Sequence, residues 1–262
     1  MGAIHAKIQI AMRVLILGGT SEASGLASTV GADRRFAATL SLAGRTRAPL
    51  PPPIAWRVGG FGGIEGLVAY LRAERINALI DATHPFAEQM TCHAAAAAEL
   101  AKIPLLVLCR PPWQPVGSDR WTVVPDMAAA AAALGRAPRR VFLTVGRKDL
   151  APFAAAPWHH YLVRSVDLPD PAALPAGAKA IAARGPFGEA AERRLLQEHG
   201  IDVIVTKNSG GAATAGKLAA ARALFLPVVM IARPVPPPLP TVADAKTALD
   251  WLIRLHGETS SD

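Results

Sequence analysis

Arg13-Val14-Leu15-Ile16-Leu17-Gly18-Gly19-Thr20-Ser21-Glu22-Ala23 runs from an unbroken apolar stretch through two glycines into hydroxyl residues and a helical pattern. A strand covered by helices on both faces has no solvent side, so its hydrophobicity is continuous rather than alternating. Glycine permits the sharp reversal that follows, and a hydroxyl at the helix start satisfies an amide with no helical partner. Outward from this point the alternation recurs. Residues 22–30 read as a helix, Phe36–Leu42 as a second strand and 56–58 as a short third. Residues 64–75 are helical, 78–80 form a buried strand ending at Asp81, 87–100 an alanine-rich helix and 104–108 a fifth strand. Apolar strands separated by helices predict a parallel sheet, and right-handed crossovers make it doubly wound.

Three prolines in Arg110-Pro111-Pro112-Trp113-Gln114-Pro115 remove amide donors, so this stretch reads as a linker. Beyond it come strands at 121–124, 140–145, 161–166, 202–205 and 228–231. Helices follow from Asp126 and over 189–199, 212–223 and 243–255. The expected fold is therefore α/β: two Rossmann-like domains with parallel sheets and an interdomain cleft. The boundaries read as 12–111 for a nucleotide-binding domain and 112–262 for a second α/β domain that contributes the substrate site. No sequence repeat convincingly relates the halves.

With 51% hydrophobic and 18% charged residues in 262, the chain is too apolar to be disordered and long enough for two cores. Cys92 and Cys109 have no CxxC partner, which excludes a disulfide framework and a thiolate zinc site. His84 and His93 are wrongly spaced for a helical metal pair, so no metal is expected. No apolar run reaches the roughly 18 residues of a membrane span. The first residues lack a secretory pattern, so a cytoplasmic location is expected. A formal charge of +8 favours an anionic partner. The cations are scattered and aromatics make up only 5%, which argues against nucleic acid.

Gly18, Gly19, Thr20 and Ser21 form a candidate seat for a pyrophosphate, because first-turn amides and the helix dipole both point at an anion there. A plain capped turn would look the same. A domain that prefers NAD usually places an acid about twenty residues after the glycines, on the ribose hydroxyls. Here the place reads Ser41-Leu42-Ala43-Gly44-Arg45-Thr46-Arg47, and no acid occurs between Asp33 and Glu65. Ser41, Arg45 and Thr46 suit a 2′-phosphate, so NADPH is favoured, with a solvated basic loop as the alternative. Gly60, in Gly59-Gly60-Phe61-Gly62-Gly63, would let backbone pass close to the adenosine, or would simply open a helix.

Asp81-Ala82-Thr83-His84-Pro85-Phe86-Ala87 follows the fourth strand at the end where such sheets bind ligands. Thr83 is a candidate cofactor contact, His84 a substrate contact or proton donor, and Phe86 a substrate contact; helix capping is the alternative. Arg184-Gly185-Pro186-Phe187-Gly188 and Thr206-Lys207-Asn208-Ser209-Gly210-Gly211 concentrate cations and amides at strand ends. Arg184, Lys207, Asn208, Ser209 and Lys217 are the candidate substrate contacts, and Lys207 a second candidate proton donor. The lysines read equally as ordinary surface residues. Tyr70 and Tyr161 are followed four positions later by Glu74 and Ser165, which removes a Tyr-x-x-x-Lys dyad. GxSxG, HExxH and GxxxxGK[ST] are absent too.

GGTSEA, SLAGRT, DATHPFA, RGPF and TKNSGG, the last followed by KLAAAR, occur in that order from Gly18 to Arg222. Together they resemble the precorrin-6A reductases of the cobalamin pathway. The resemblance implies NADPH-dependent reduction of one carbon–carbon double bond of an anionic tetrapyrrole, precorrin-6A, to give precorrin-6B. It also implies cofactor on the N-terminal domain and substrate in the cleft; whether the macrocycle carries cobalt stays open. A substrate with many acetate and propionate arms fits a cationic site, and its conjugated ring fits the lack of a tyrosine–lysine dyad. Two rivals remain: an NADP-dependent reductase of another small acidic substrate, and a non-catalytic NADP-sensing module.

Overall fold

Val14, Leu15 and Ile16 of the first strand, β1 (Met12–Leu17), expose no surface, and alternate side chains enter two different cores. The computed structural model describes residues 11–44 and 51–259. After β1 come α1 (Ser21–Gly31), β2 (Phe36–Leu42), β3 (Ala55–Val58), α2 (Ile64–Ala73), β4 (Ala78–Asp81), α3 (Glu88–Ala101) and β5 (Leu105–Leu108). Val14 and Ile16 pack with Leu26 and Val30 of α1. Leu15 and Leu17 face Leu67 and Leu71 of α2 and Ala94 and Ala97 of α3. The period-two geometry of a strand sends successive residues to opposite faces, so one apolar run serves both helix layers.

The second half holds β6 (Trp121–Val124), α4 (Met127–Ala133), β7 (Arg140–Thr144), β8 (His160–Ser165), β9 (Lys179–Ala182), α5 (Glu189–Glu198), β10 (Val203–Lys207), α6 (Gly216–Ala223) and β11 (Val228–Ile231). The chain then closes with β12 (Thr241–Val242) and α7 (Ala245–Thr259). Two all-parallel six-stranded sheets result, ordered β3-β2-β1-β4-β5-β12 and β6-β11-β10-β7-β8-β9. Counted from β1 and from β7 the first five strands are wired alike, and the sixth is β12 in one sheet and β6 in the other; strand order reverses beside the first strand, which makes β1/β4 and β7/β10 the switch points. The α/β class and parallel sheets stand as expected. The halves share a topology that their sequences do not display as a repeat.

The expected domain reaching to residue 262 is corrected. One unit runs to Arg110 and resumes at Val235; the other is Pro111–Pro234. Thr241 and Val242 pair with Val107 and Leu108 of β5, and Ala248 and Leu252 of α7 are fully buried in the core that holds Val14 and Leu26. β12 covers what would otherwise be an open sheet edge at β5. Conversely β6, which follows β5 in the chain, pairs with β11 in the other sheet. β9 was not expected as a strand because its short run is half alanine, with Ile181 its single residue of high strand preference. Residues 212–214 form a short 3-10 turn, so α6 starts later than expected.

Beneath β8 a small aromatic cluster contains the buried His159, edge-on to Tyr161. Its Nε2 lies 3.1 Å from the Gly135 carbonyl, while Nδ1 has no partner among the described residues. Burial pushes the Tyr161 phenol up to about 12. Burial also holds His159 below its ordinary value of 6.5, reinforced by Arg139 and opposed by the Gly135 bond. In the window below 6.5 the unfolded chain binds a proton that the folded chain refuses, so stability is full above this value and falls as pH drops. Urea unfolding of unit Pro111–Pro234 between pH 7.5 and 5.5 is expected to show this loss. His159→Gln, which keeps a donor for Gly135 without titrating, should flatten the slope.

Candidate functional site

In the first unit the carboxyl ends of β1, β2 and β4 converge on the glycine turn. Gly18 donates its amide to the Ser41 carbonyl at 2.8 Å, and a Cβ on Gly18 would sit 2.6 Å from Leu40 Cδ1, so this glycine lets β1 lie close to β2. Gly19 has φ +124° with nothing within 4 Å of a Cβ, which leaves an open surface above a backbone that side chains avoid. Thr20 caps α1: its Oγ1 accepts from the Ala23 amide at 3.1 Å and donates to the Ala82 carbonyl at 2.8 Å. The threonine hydroxyl expected to contact a phosphate is therefore engaged in joining β1's turn to that of β4. What the turn offers an anion is backbone amide and helix dipole. The Ser21 hydroxyl donates to Glu22, which also pairs with Arg110. Burial works to raise the Glu22 carboxyl, yet its own amide, Arg110 and Ser21 together hold it below the ordinary carboxylate range.

Ser41 is buried at the end of β2, and its hydroxyl accepts from Arg57 Nη1 at 2.8 Å. Arg45 and Thr46, the other two residues expected there, lie outside the described residues. Arg57, at the end of β3, was not singled out from the sequence because nothing in Ala55–Val58 marks it as part of a motif. It also donates to the carbonyls of Gly59 and Gly60 at 3.0 Å each, and its guanidinium lies 4.1 Å from the Phe61 ring. The glycines after β3 thus form a loop wrapped on one arginine.

Asp81 ends β4 and is almost fully buried. Its Oδ1 accepts from the Thr83 amide and hydroxyl, at 3.0 and 2.6 Å, and Oδ2 from the Thr91 hydroxyl of α3 at 2.6 Å. One carboxylate thereby pins the Thr83 loop to the helix behind it. Phe86 donates its amide to His84 Nδ1 at 3.2 Å, which makes Nδ1 the acceptor and puts the proton of the neutral ring on Nε2. The rings of His84 and Phe86 lie 5.8 Å apart. Pro85 stands in the turn; α3 begins only at Glu88.

In the second unit the carboxyl ends of β7 and β10 carry a paired charge cluster. Lys207 Nζ lies 2.6 Å from Asp149, and Arg147 lies 3.8 Å from Asp167. Gly146-Arg147-Lys148-Asp149 was missed by sequence reasoning, although its place after β7 matches that of Gly18-Gly19 after β1. The glycine and two cations just past an apolar strand were the available signal. The loop carrying Arg184 meets the loop that follows Lys207, with the Phe187 amide donating to the Ala213 carbonyl at 2.9 Å. Arg184 itself is exposed.

Two of the expected substrate contacts, Asn208 and Lys217, have partners within the fold. Asn208 clasps the backbone of Trp113: Oδ1 accepts from its amide at 2.8 Å and Nδ2 donates to its carbonyl at 3.0 Å. Lys217 is only 4% exposed; its ammonium donates to the Thr214 carbonyl at 2.8 Å and lies 4.8 Å from the Trp113 ring. Trp113 also donates from Nε1 to the Gly211 carbonyl. Both residues therefore hold the linker tryptophan in place. Ser209 remains beside Lys207, its amide 2.7 Å from the Lys207 carbonyl.

The family described as precorrin-6x reductase CbiJ/CobK matches residues 13–253. The chain belongs to this family. The precorrin-6A reductase of Rhodobacter capsulatus is 50% identical over 248 residues, 94% of this chain and 98% of that protein. A solved structure of CobK precorrin-6A reductase has a TM-score of 0.88 at 49% identity, covering 93% of this chain and 97% of that one. The cobalt-precorrin-6A reductase of Priestia megaterium is 30% identical, over 84% of this chain and 90% of that protein. A reductase of this family draws on a reduced nicotinamide cofactor. The open Gly19 turn and the amides of α1 fit the pyrophosphate of such a group. Among the described residues no helix is long and apolar enough to cross a membrane, and no cluster of three metal-ligating side chains occurs.

Proposed function

We propose that this chain reduces one carbon–carbon double bond of precorrin-6A to give precorrin-6B in cobalamin biosynthesis, with NADPH as the reductant. The observation that carries this reading is the family match over residues 13–253, at about half identity to a precorrin-6A reductase. The lower identity to a cobalt-precorrin-6A reductase supports the metal-free macrocycle as substrate.

NADPH, when bound, supplies the hydride. The amides of Gly19, Thr20 and Ser21 hold its pyrophosphate, while Gly18, whose amide is spent on the Ser41 carbonyl, shapes the turn; Thr83, fixed by Asp81, bounds the nicotinamide end with Gly60 on the adenosine side. One carbon of the reduced bond receives the hydride and its neighbour a proton. His84 donates that proton as the imidazolium, which the ring reaches by taking a proton at Nδ1 and giving up the bond it accepts there from the Phe86 amide, and it returns to the neutral ring on transfer; Phe86 packs beside it. Arg184, Lys207 and Ser209 meet the substrate carboxylates, with Asn208 and Lys217 supporting them through Trp113. Lys207, tied to Asp149, serves as a charge for those carboxylates rather than as the acid.

Anaerobic assay of NADPH oxidation with precorrin-6A tests the reading, and cobalt-precorrin-6A should be the poorer substrate. His84→Gln is expected to lower kcat by roughly 10²- to 10⁴-fold with KM for NADPH nearly unchanged. Lys207→Ala should instead raise KM for the macrocycle. A kcat collapse in Lys207→Ala with normal turnover in His84→Gln would reverse the two assignments. Absence of any turnover by the wild-type protein would leave the sensing module as the better reading.

A further inference from the structure

We propose that Arg57 is the residue that reads the 2′-phosphate of the dinucleotide, and that Ser41 aims it; this rests on the NADPH reading above and deepens it. In a sheet wired as this one is, the ribose next to adenine falls at the end of the second strand. Ser41 stands there, and its hydroxyl is not a lone donor but the acceptor of a hydrogen bond from Arg57 Nη1. The substituent expected at that point therefore meets a guanidinium.

Arg57 is suited to the task by what it lacks as well as by what holds it. Arg13, Arg35, Arg110, Arg164 and Arg222 each pair with a carboxylate. Arg57, partly buried, pairs with none among the described residues, and no acid occurs in sequence between Asp33 and Glu65. Its charge has no ion-pair partner among the described residues, and a phosphate dianion would supply one. Three of the five guanidinium N–H donors go to Ser41, Gly59 and Gly60, which leaves two with no partner among the described residues. These three bonds and the Phe61 ring hold the group still before a ligand arrives, so little ordering entropy opposes binding. Access is available too: at Gly60 a Cβ would meet nothing within 4 Å.

The test is calorimetric titration of the full-length protein with 2′,5′-ADP and with 5′-ADP, which differ only in the 2′-phosphate, alongside steady-state assays with NADPH and NADH. Wild type is expected to prefer 2′,5′-ADP. Arg57→Ala should weaken 2′,5′-ADP by roughly ten- to a hundredfold, the range for a hydrogen bond to a charged group, while 5′-ADP stays within about twofold. KM for NADPH should rise with kcat little changed, and KM for NADH should not move. Arg57→Lys, which keeps the charge but not the fork, should recover part of the preference. Ser41→Ala should lose a smaller part. Equal weakening of both nucleotides would mean that Arg57 only supports the glycine loop, and overturns the proposal. So does a preference that survives Arg57→Ala but disappears in Arg45→Ala. If wild type shows no preference and NADH serves as well as NADPH, the NADPH reading fails and takes this proposal with it.

Discussion

Gly19→Val is expected to abolish nicotinamide cofactor binding while leaving the protein folded. At φ +124° a β-branched residue is strained by about 1–3 kcal/mol, against a folding margin of roughly 5–15 kcal/mol for a domain. The fold therefore tolerates the change. Binding does not, because the new side chain projects into the open space above the turn and displaces the pyrophosphate from the first-turn amides of α1. Each lost bond to a charged group is worth about 1.5–3 kcal/mol, so losing two or more lowers affinity by at least roughly a hundredfold. Fluorescence titration with NADPH and a thermal melt check the two halves of the expectation separately. Gly18→Ala provides the contrast. Its Cβ would press on Leu40 Cδ1, the far end of a flexible side chain, so it should cost some stability and leave most of the binding. Retention of tight NADPH binding by Gly19→Val would remove the turn from the cofactor site.

Glu192→Ala is expected to be the most destabilising single change in the second unit. Arg164 of β8 and Glu192 of α5 form a buried two-pronged ion pair, with one prong from Nη2 to Oε2 at 2.9 Å; both are at least nine-tenths buried. Phe142 and Phe187 lie 4.9 and 3.8 Å from the guanidinium carbon. Removal of one partner leaves a charge in an apolar setting, which costs about 3–5 kcal/mol. Urea unfolding should show this as a large fall in midpoint. Replacing both partners, as in Arg164→Met with Glu192→Leu, should recover most of the stability, because no orphaned charge remains. The double variant separates stability from function. Phe187 belongs to the loop that carries Arg184, so loss of the stacked guanidinium should still raise KM for precorrin-6A in a protein that melts normally. If the double variant is as unstable as Glu192→Ala, packing rather than the unpaired charge is the cause.

Family, fold class and most strand positions could be read from the chain alone, because each is written in local pattern. Continuous apolar runs such as Val14–Leu17 have to be buried on both faces, and a glycine pair at the end of one has few other uses. The motif order from Gly18 to Arg222 pointed to the same family as the match over residues 13–253. Other features had no local signature. β12 and α7 rejoin the first unit across more than a hundred residues, and which open edge a two-residue strand covers is decided by the edge, not by the strand. Asn208 and Lys217 have the chemistry of ligand contacts, yet in the fold Asn208 clasps the Trp113 backbone and Lys217 bonds the Thr214 carbonyl beside the Trp113 ring. Arg57 shows the converse. It sits in an unremarkable strand, and only the parallel pairing of β3 with β2 brings its guanidinium to Ser41. Sequence by itself determined which residues can bind an anion, since that follows from side-chain chemistry. Tertiary structure alone decided which of them still have donors to offer, because hydrogen bonds made in folding are no longer available to a ligand.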